Sequence, residues 1–305
     1  MKDPFKTVLI GFGKVAHEMA LDHVMAKYFL YGTHAQVLKD HPRFSWEAVV
    51  DPSGEALDAA KNKWNIPVLA SSVDELVESF QPEVAVIATP PNQRINIIDR
   101  FPDLKAVFVE KPLGLTFDES QNFVSECKKN NVLIQVNFWR RGDEFIRKLV
   151  SDGLKEYIWS PLAVFGIYGN GLLNNGSHMI DFTRMLFGEI KSAELFSSKT
   201  SFVEGPIHGD KNIHFILEFR DDINVVFQAI PFGSYREVGL DIWGENGRLS
   251  LFQESLGIYL YPKEKNRALF KEFEIASDRP KIIQPTCGHA LYHMYDNLAA
   301  AIYNE

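Results

Sequence analysis

The sequence predicts an α/β fold: an amino-terminal, doubly wound parallel sheet followed by an α+β domain with a largely antiparallel open sheet. Three features of its 305 residues predict this. Short apolar runs alternate with helical periodicity over the first part of the chain, which implies right-handed βαβ crossovers and a parallel sheet. These runs end in polar or turn chemistry, at Gly11, Asp51, Thr89 and Glu110, and in open α/β sheets that edge is where ligands bind. Beyond about residue 150 strand follows strand, several alternating apolar and polar positions. The length exceeds one comfortable core and implies two domains.

In order, Thr7-Val8-Leu9-Ile10 is a β-rich run that stops at Gly11-Phe12-Gly13. Helical periodicity follows over 14–28, with Val15, Met19 and Val24 among its apolar positions. A second run, Trp46 to Val50, ends at Asp51-Pro52, and helical stretches follow at 54–64 and 73–79. The runs 84–88 and 106–109 are continuously apolar, as strands buried on both faces are. They stop at Thr89-Pro90-Pro91 and Glu110-Lys111-Pro112, and Leu133 to Val136 follows a helical segment at 118–130. The first domain is expected over 1–115 and the second over 116–285. In the second, strands are expected at 161–168, 192–203, 212–220, 223–230, 237–243 and 248–252, with a helix over 176–187. Asp221-Asp222 and Glu245-Asn246-Gly247 are the hairpin turns. Trp243, Phe252 and Tyr259 read as core. The tail 286–305 is expected to form a helix that returns to the first domain.

Composition narrows the function. The chain is 46% hydrophobic and 24% charged, with a net charge of −8 and no Lys/Arg run longer than two. Such a surface repels phosphate backbones, so no nucleic-acid partner is expected. No apolar run approaches the ~20 residues that cross a bilayer, and the amino terminus does not read as a secretory signal. Cys127 and Cys287 lack Cys-x-x-Cys spacing, which argues against disulfides and zinc ribbons and for a reducing cytoplasm. His289 and His293 share a helix face near Cys287, but nothing nearby completes a ligand set, so no metal is expected.

Gly11-Phe12-Gly13-Lys14-Val15-Ala16 fits G-x-G-x-x-G/A between a strand and a helix, the setting in which that pattern cradles a dinucleotide pyrophosphate. Gly11 permits the turn, Gly13 lets the backbone approach phosphate, Ala16 keeps helix and strand close, and the helix amino terminus would face the charge. Val15 stands where a Walker A loop needs Ser or Thr. Asp51 would accept hydrogen bonds from a ribose 2′-hydroxyl and repel a 2′-phosphate, favouring NAD over NADP. It lies 51 − 11 = 40 positions after Gly11, about twice the usual interval. An insertion near 25–32 explains this; the alternative is a solvated turn aspartate before Pro52. Lys111, at the ligand edge, is suited to proton transfer to a substrate oxygen, though a lysine is more often a surface cation. His178, near a predicted helix start, is disfavoured in its charged form there and available as a base; the alternative is a packed or capping histidine.

These motifs in this order resemble the Gfo/Idh/MocA oxidoreductases, the glucose–fructose oxidoreductase and inositol dehydrogenase family. The resemblance rests on residues 11–16, Thr89-Pro90-Pro91-Asn92, Glu110-Lys111-Pro112-Leu113 and Gly176-Ser177-His178-Met179-Ile180-Asp181, and covers nearly the whole chain. It implies that Lys111 and His178 flank the substrate and that Lys111-Pro112 is a cis bond. It also implies that the second-domain sheet supports a homodimer or homotetramer. Many sugar and polyol dehydrogenases of the family carry Asp four residues before the His. This chain has Asn174, which does not titrate and resembles branches that oxidise nucleotide-linked sugars. The expected function is hydride transfer between NAD and a carbohydrate secondary alcohol. Gly11, Phe12, Gly13, Lys14, Val15, Asp51, Thr89, Pro90, Pro91, Asn92, Glu110 and Lys111 would hold the cofactor. Lys111 and His178 would handle the hydroxyl proton, and Asn174, Asn175, Tyr168 and Arg140 would contact substrate. The rivals are a regulatory protein that senses NAD or sugar without turnover and an NADPH-dependent ketone reductase.

Overall fold

The structure, a computed structural model, describes residues 3–304 other than Ile95. The chain divides into two compact units. The first runs to Asp143 and takes in the chain from Gly288 onward; the second spans Glu144–Cys287.

The first unit comprises β1 (Phe5–Ile10), α1 (His34–Asp40), β2 (Phe44–Val50), α2 (Gly54–Trp64), β3 (Val68–Ala70), α3 (Val73–Leu76), β4 (Val84–Ile87), β5 (Ala106–Val109), α4 (Phe117–Lys129) and β6 (Leu133–Val136). The sheet is parallel throughout, in the order β3-β2-β1-β4-β5-β6. The order reverses between β1 and β4, the switch point where doubly wound sheets bind ligands. Both faces are covered. Val8, Ile10, Ile87 and Val109 pack against Leu76, Phe123 and Cys127. On the other face Leu9, Val49, Val86 and Phe108 meet Leu291, Met294, Tyr295 and Leu298 of the carboxy-terminal helix, Ala290–Tyr303. The unit extends past the expected boundary at 115 because β6 pairs with β5 and α4 covers the sheet.

The helix expected over 14–28 does not form. One turn closes after Gly13, from the His17 N–H to the Gly13 carbonyl (3.0 Å). Two 3-10 turns follow, at Glu18–Leu21 and Met25–Lys27. The Asp22 carboxylate accepts the N–H groups of Val24 (2.8 Å) and Met25 (3.2 Å), a local alternative to the helical ladder. Leu21 and Val24, 59% and 53% exposed, have no core to bury against. The stretch before α1 ends where Phe29 meets the edge of Trp139 and the Tyr31 N–H donates to the Gly288 carbonyl. Only then does α1 begin, capped by a Thr33–Gln36 capping box.

The second unit holds α5 (Glu144–Lys148), α6 (Leu154–Tyr157), β7 (Pro161–Tyr168), α7 (Ser177–Phe187), β8 (Ile190–Val203), β9 (Lys211–Phe219), β10 (Asn224–Ala229), β11 (Gly239–Gly244), β12 (Gly247–Phe252), β13 (Gly257–Lys265), β14 (Phe273–Ile275) and β15 (Lys281–Ile283). They form a nine-stranded sheet in the order β14-β13-β12-β11-β7-β10-β9-β8, with β15 on β13. Only β7 and β10 pair in parallel. One face carries Val164, Phe215, Phe227, Leu240, Ile242 and Leu249 against Met179 and Phe182 of α7. On the other face Trp243 is half-buried with the Arg248 guanidinium 4.7 Å over its ring, so it lies outside the core assigned to it. The Phe227 ring occupies the space that a side chain at Gly166 would need. Phe227→Ala is therefore expected to destabilise the protein by about 3–5 kcal/mol, read from urea unfolding.

Candidate functional site

At the ends of β1, β2 and β4 the backbone is pressed together. Gly11 has φ +86, and a Cβ there would lie 2.9 Å from the Ala88 carbonyl carbon and 2.9 Å from Thr89 Cγ2. Its N–H donates to the Val50 carbonyl (2.8 Å), and the Phe12 N–H donates to Asp51 Oδ2 (2.7 Å). The second Asp51 oxygen accepts the Ser53 N–H (2.9 Å). Phe12 is buried and stacks on His17 at 4.1 Å; burial lowers the His17 pKa, with the nearby Glu18 opposing.

Gly13, Lys14 and Val15 are exposed, and a Cβ at Gly13 would meet open space. Among the described residues no protein acceptor takes the N–H groups of Gly13, Lys14, Val15 or Ala16. A concave row of amides of this kind suits an anion. The anion-facing feature is this single turn and not the start of a helix, since in α1 the Ala35 N–H donates to the Ala16 carbonyl (2.9 Å) and the Gln36 N–H to Thr33 Oγ1 (3.4 Å). The buried hydroxyl of Thr89 also has no hydrogen-bond partner. Free amides, an open Gly13 and an unpartnered hydroxyl fit a dinucleotide laid across this edge.

In the loop after β4, Pro90 and Asn92 are exposed and Pro91 is half-buried. Arg94, which the sequence reading missed, is buried beneath them. Its guanidinium donates to the carbonyls of Thr89 (3.0 and 2.6 Å), Pro112 (2.7 Å) and Leu113 (3.3 Å), tying two loops together. Burial pushes its pKa down to about 10, with the Glu110 charge opposing. Nothing in one dimension marks this arginine except its place just after two prolines.

Glu110 ends β5, fully buried. Its Oε1 accepts from His34 Nε2 (2.9 Å) and Asn137 Nδ2 (2.6 Å), while His34 Nδ1 meets the Tyr295 hydroxyl (2.7 Å). Burial raises the carboxyl pKa, but the hydrogen bonds from His34 and Asn137 and the Lys111 charge outweigh it. The net direction is below its ordinary 4.5. Lys111 follows, half-buried, in a cis bond to Pro112. Arg140 lies in the same unit, buried, 4.5 Å over the Trp139 ring.

The remaining expected residues lie together in the second unit. A wide helical turn, Leu172–Gly176, runs directly into α7, so His178 sits inside a continuous helical run and not at its first residue. The start of that run is capped by Asp210, a second residue the sequence reading missed. Asp210 accepts the N–H groups of Leu173 (3.0 Å) and Asn174 (2.9 Å). Gly171, at φ +95, is required because a side chain there would overlap the Asp210 carboxylate. Asn174 Nδ2 donates to the Asn170 carbonyl (3.0 Å), Asn175 is buried and His178 is half-buried. Tyr168, expected among the substrate contacts, is fully buried. Its hydroxyl donates to the Ile213 carbonyl (2.6 Å) and accepts the Ile213 N–H (2.9 Å). Burial pushes its pKa up to about 12, and its hydroxyl anchors β7 to β9.

Among the described residues no group of three or more His, Cys, Asp or Glu is arranged to hold a metal, and no helix is long and apolar enough to cross a membrane. His293 Nδ1 meets the Gly142 carbonyl at 3.0 Å.

A glycine turn with free amides at the switch point of a doubly wound sheet is the arrangement of a dinucleotide-binding protein. Residues 5–138 match the oxidoreductase family with an NAD-binding Rossmann fold, and residues 165–250 match the C-terminal domain of the same family. The chain belongs to the Gfo/Idh/MocA family. An uncharacterized oxidoreductase of Streptococcus pneumoniae is 27% identical over 72% of this chain and 66% of its own length. The trans-1,2-dihydrobenzene-1,2-diol dehydrogenase of Mus musculus is 28% identical over 44% of this chain and 45% of its own. The chain thus spans between about half and two thirds of these relatives. The structure of the WlbA dehydrogenase from Bordetella pertussis, in complex with NADH and UDP-GlcNAcA, superposes with a TM-score of 0.69. It covers 99% of this chain and 88% of that one at 17% identity.

Two outcomes follow from this geometry. Gly11→Ala should weaken NADH binding at least about tenfold by fluorescence titration, a loss of about 1.4 kcal/mol, because the new methyl displaces the loop after β4. Acid unfolding should report Glu110. Its folded pKa is depressed, so its stabilisation is complete above the unfolded value near 4.5 and is lost as pH falls through the folded value. In Glu110→Gln the stability curve should flatten in that acid window.

Proposed function

We propose that the protein transfers hydride between NAD and the CH–OH carbon of a carbohydrate: a sugar, a polyol or a nucleotide sugar. The observation that carries this reading is one sheet edge holding both the free-amide turn after Gly11 and, at the end of β5, Lys111 beside a buried carboxylate. A bound nicotinamide supplies the hydride acceptor or donor. Gly11 and Gly13 let the backbone approach the pyrophosphate, and the Gly13–Ala16 amides hold it. Asp51 accepts from the adenosine ribose and disfavours a 2′-phosphate, which selects NAD over NADP. Lys111 takes the proton of the substrate hydroxyl on oxidation and returns it on reduction. His178 is the second polar group toward substrate, with Asn174 and Asn175 beside it. Asn174 carries no charge, so the proton chemistry falls on Lys111.

The complex of the Bordetella WlbA dehydrogenase with NADH and UDP-GlcNAcA supports a nucleotide-linked sugar as the first class to test. The same reading makes the protein a homodimer or homotetramer through the outer face of the second unit's sheet. There Arg248 lies between the Trp243 and Tyr261 rings. It also places the chain in a reducing cytoplasm that keeps Cys127 and Cys287 as thiols.

The test is a panel of sugars, polyols and nucleotide sugars followed by nicotinamide absorbance. With an accepted substrate, Lys111→Ala should lower kcat by about 10²–10⁴-fold while retaining NADH binding. Undiminished turnover in that variant, or no NADH binding by the native chain at about millimolar concentration, overturns the proposal.

A further inference from the structure

The strongest unexplained feature of the first unit is the buried chain of polar groups behind Lys111. Glu110 is enclosed by partners from four directions. His34 Nε2 reaches it from α1 at 2.9 Å, and Asn137 Nδ2 from beyond β6 at 2.6 Å. The Arg94 charge acts on it from the loop after β4, and Lys111 adjoins it in the chain. Tyr295, in the carboxy-terminal helix, stands behind His34, with its hydroxyl 2.7 Å from Nδ1 and its ring stacked on Phe108 at 4.6 Å. A carboxylate only accepts, so Nε2 carries the proton of that contact; in the neutral imidazole, Nδ1 then accepts the Tyr295 hydroxyl. A Thr33–Gln36 capping box fixes the start of α1, and the first residue of that helix supplies an imidazole to the sheet edge.

We propose that His34, held in one tautomer by Tyr295, is a positioning residue for Lys111: it orients Glu110 and keeps that carboxylate ionised beside the lysine. An ionised Glu110 favours the ammonium form of Lys111 and so sets the pH at which the amine accepts a proton. A protonated or displaced Glu110 withdraws that support. The inference deepens the proposed function and rests on Lys111 being the group that handles the hydroxyl proton.

The experiment reads Lys111 directly, without a substrate. The full chain is acetylated with acetic anhydride across pH, and the rate at Lys111 is followed by peptide mass spectrometry. In His34→Phe and Glu110→Gln the Lys111 midpoint should move to lower pH by about one unit or more, the scale set by a neighbouring opposite charge. Tyr295→Phe should move it the same way by less. A purely structural His34 would lower the melting temperature and leave the midpoint in place. That result in folded His34→Phe and Glu110→Gln overturns the proposal. If His34→Phe does not fold by circular dichroism, Tyr295→Phe and Glu110→Gln decide it on the same readout. If the midpoints move but Lys111→Ala leaves hydride transfer undiminished, the functional reading fails while the charge coupling stands.

Discussion

The close approach of three strand ends at Gly11 is the constraint on which the nucleotide edge depends. β1 stops there because its amide is taken by Val50 of β2, and the next amide by Asp51. On the other side Ala88 and Thr89 stand at contact distance from the position a side chain would fill. A chain locked on both flanks has one way out, and it leaves with the N–H groups of Gly13 to Ala16 turned away from every protein acceptor among the described residues. A substitution that widened this turn would disturb the amide row before touching any group of reacting chemistry.

Carboxylates organise both units of this acidic chain. Asp51 binds two main-chain amides and fixes the turn. Glu110 binds an imidazole and an amide at the end of β5. Asp210 binds the first amides of the helical run that carries His178. Glu110 and Asp210 are buried and each is satisfied by two donors, the condition under which a buried charge is tolerated. Part of the net charge of −8 is thus interior architecture at Glu110 and Asp210.

The strands of the first unit were legible because burial on both faces leaves uninterrupted apolar runs, as at Val84 and Ala106. Most of the second sheet was legible through its alternation. The shorter strands β3, β14 and β15, only three residues each, hold too little pattern to stand out. The helix read into 14–28 failed because periodicity counts apolar residues and takes no account of Asp22, whose side chain offers the backbone another partner. The displaced helix α1 was hidden by its seven residues. At the site the glycine turn, Asp51 and Glu110-Lys111 could be named from local pattern alone. Arg94, Asp210 and the His34–Tyr295 pair could not. His34 and Tyr295 are 261 positions apart, and only the packing of the carboxy-terminal helix against β5 makes them neighbours.

Arg94 grips nothing but main-chain oxygens, at Thr89, Pro112 and Leu113. Every amino acid offers such an oxygen, so the two loops are free to diverge in side chain while their spacing stays fixed. Their surfaces can then be retuned for a different ligand while the arginine holds the two loops at one spacing.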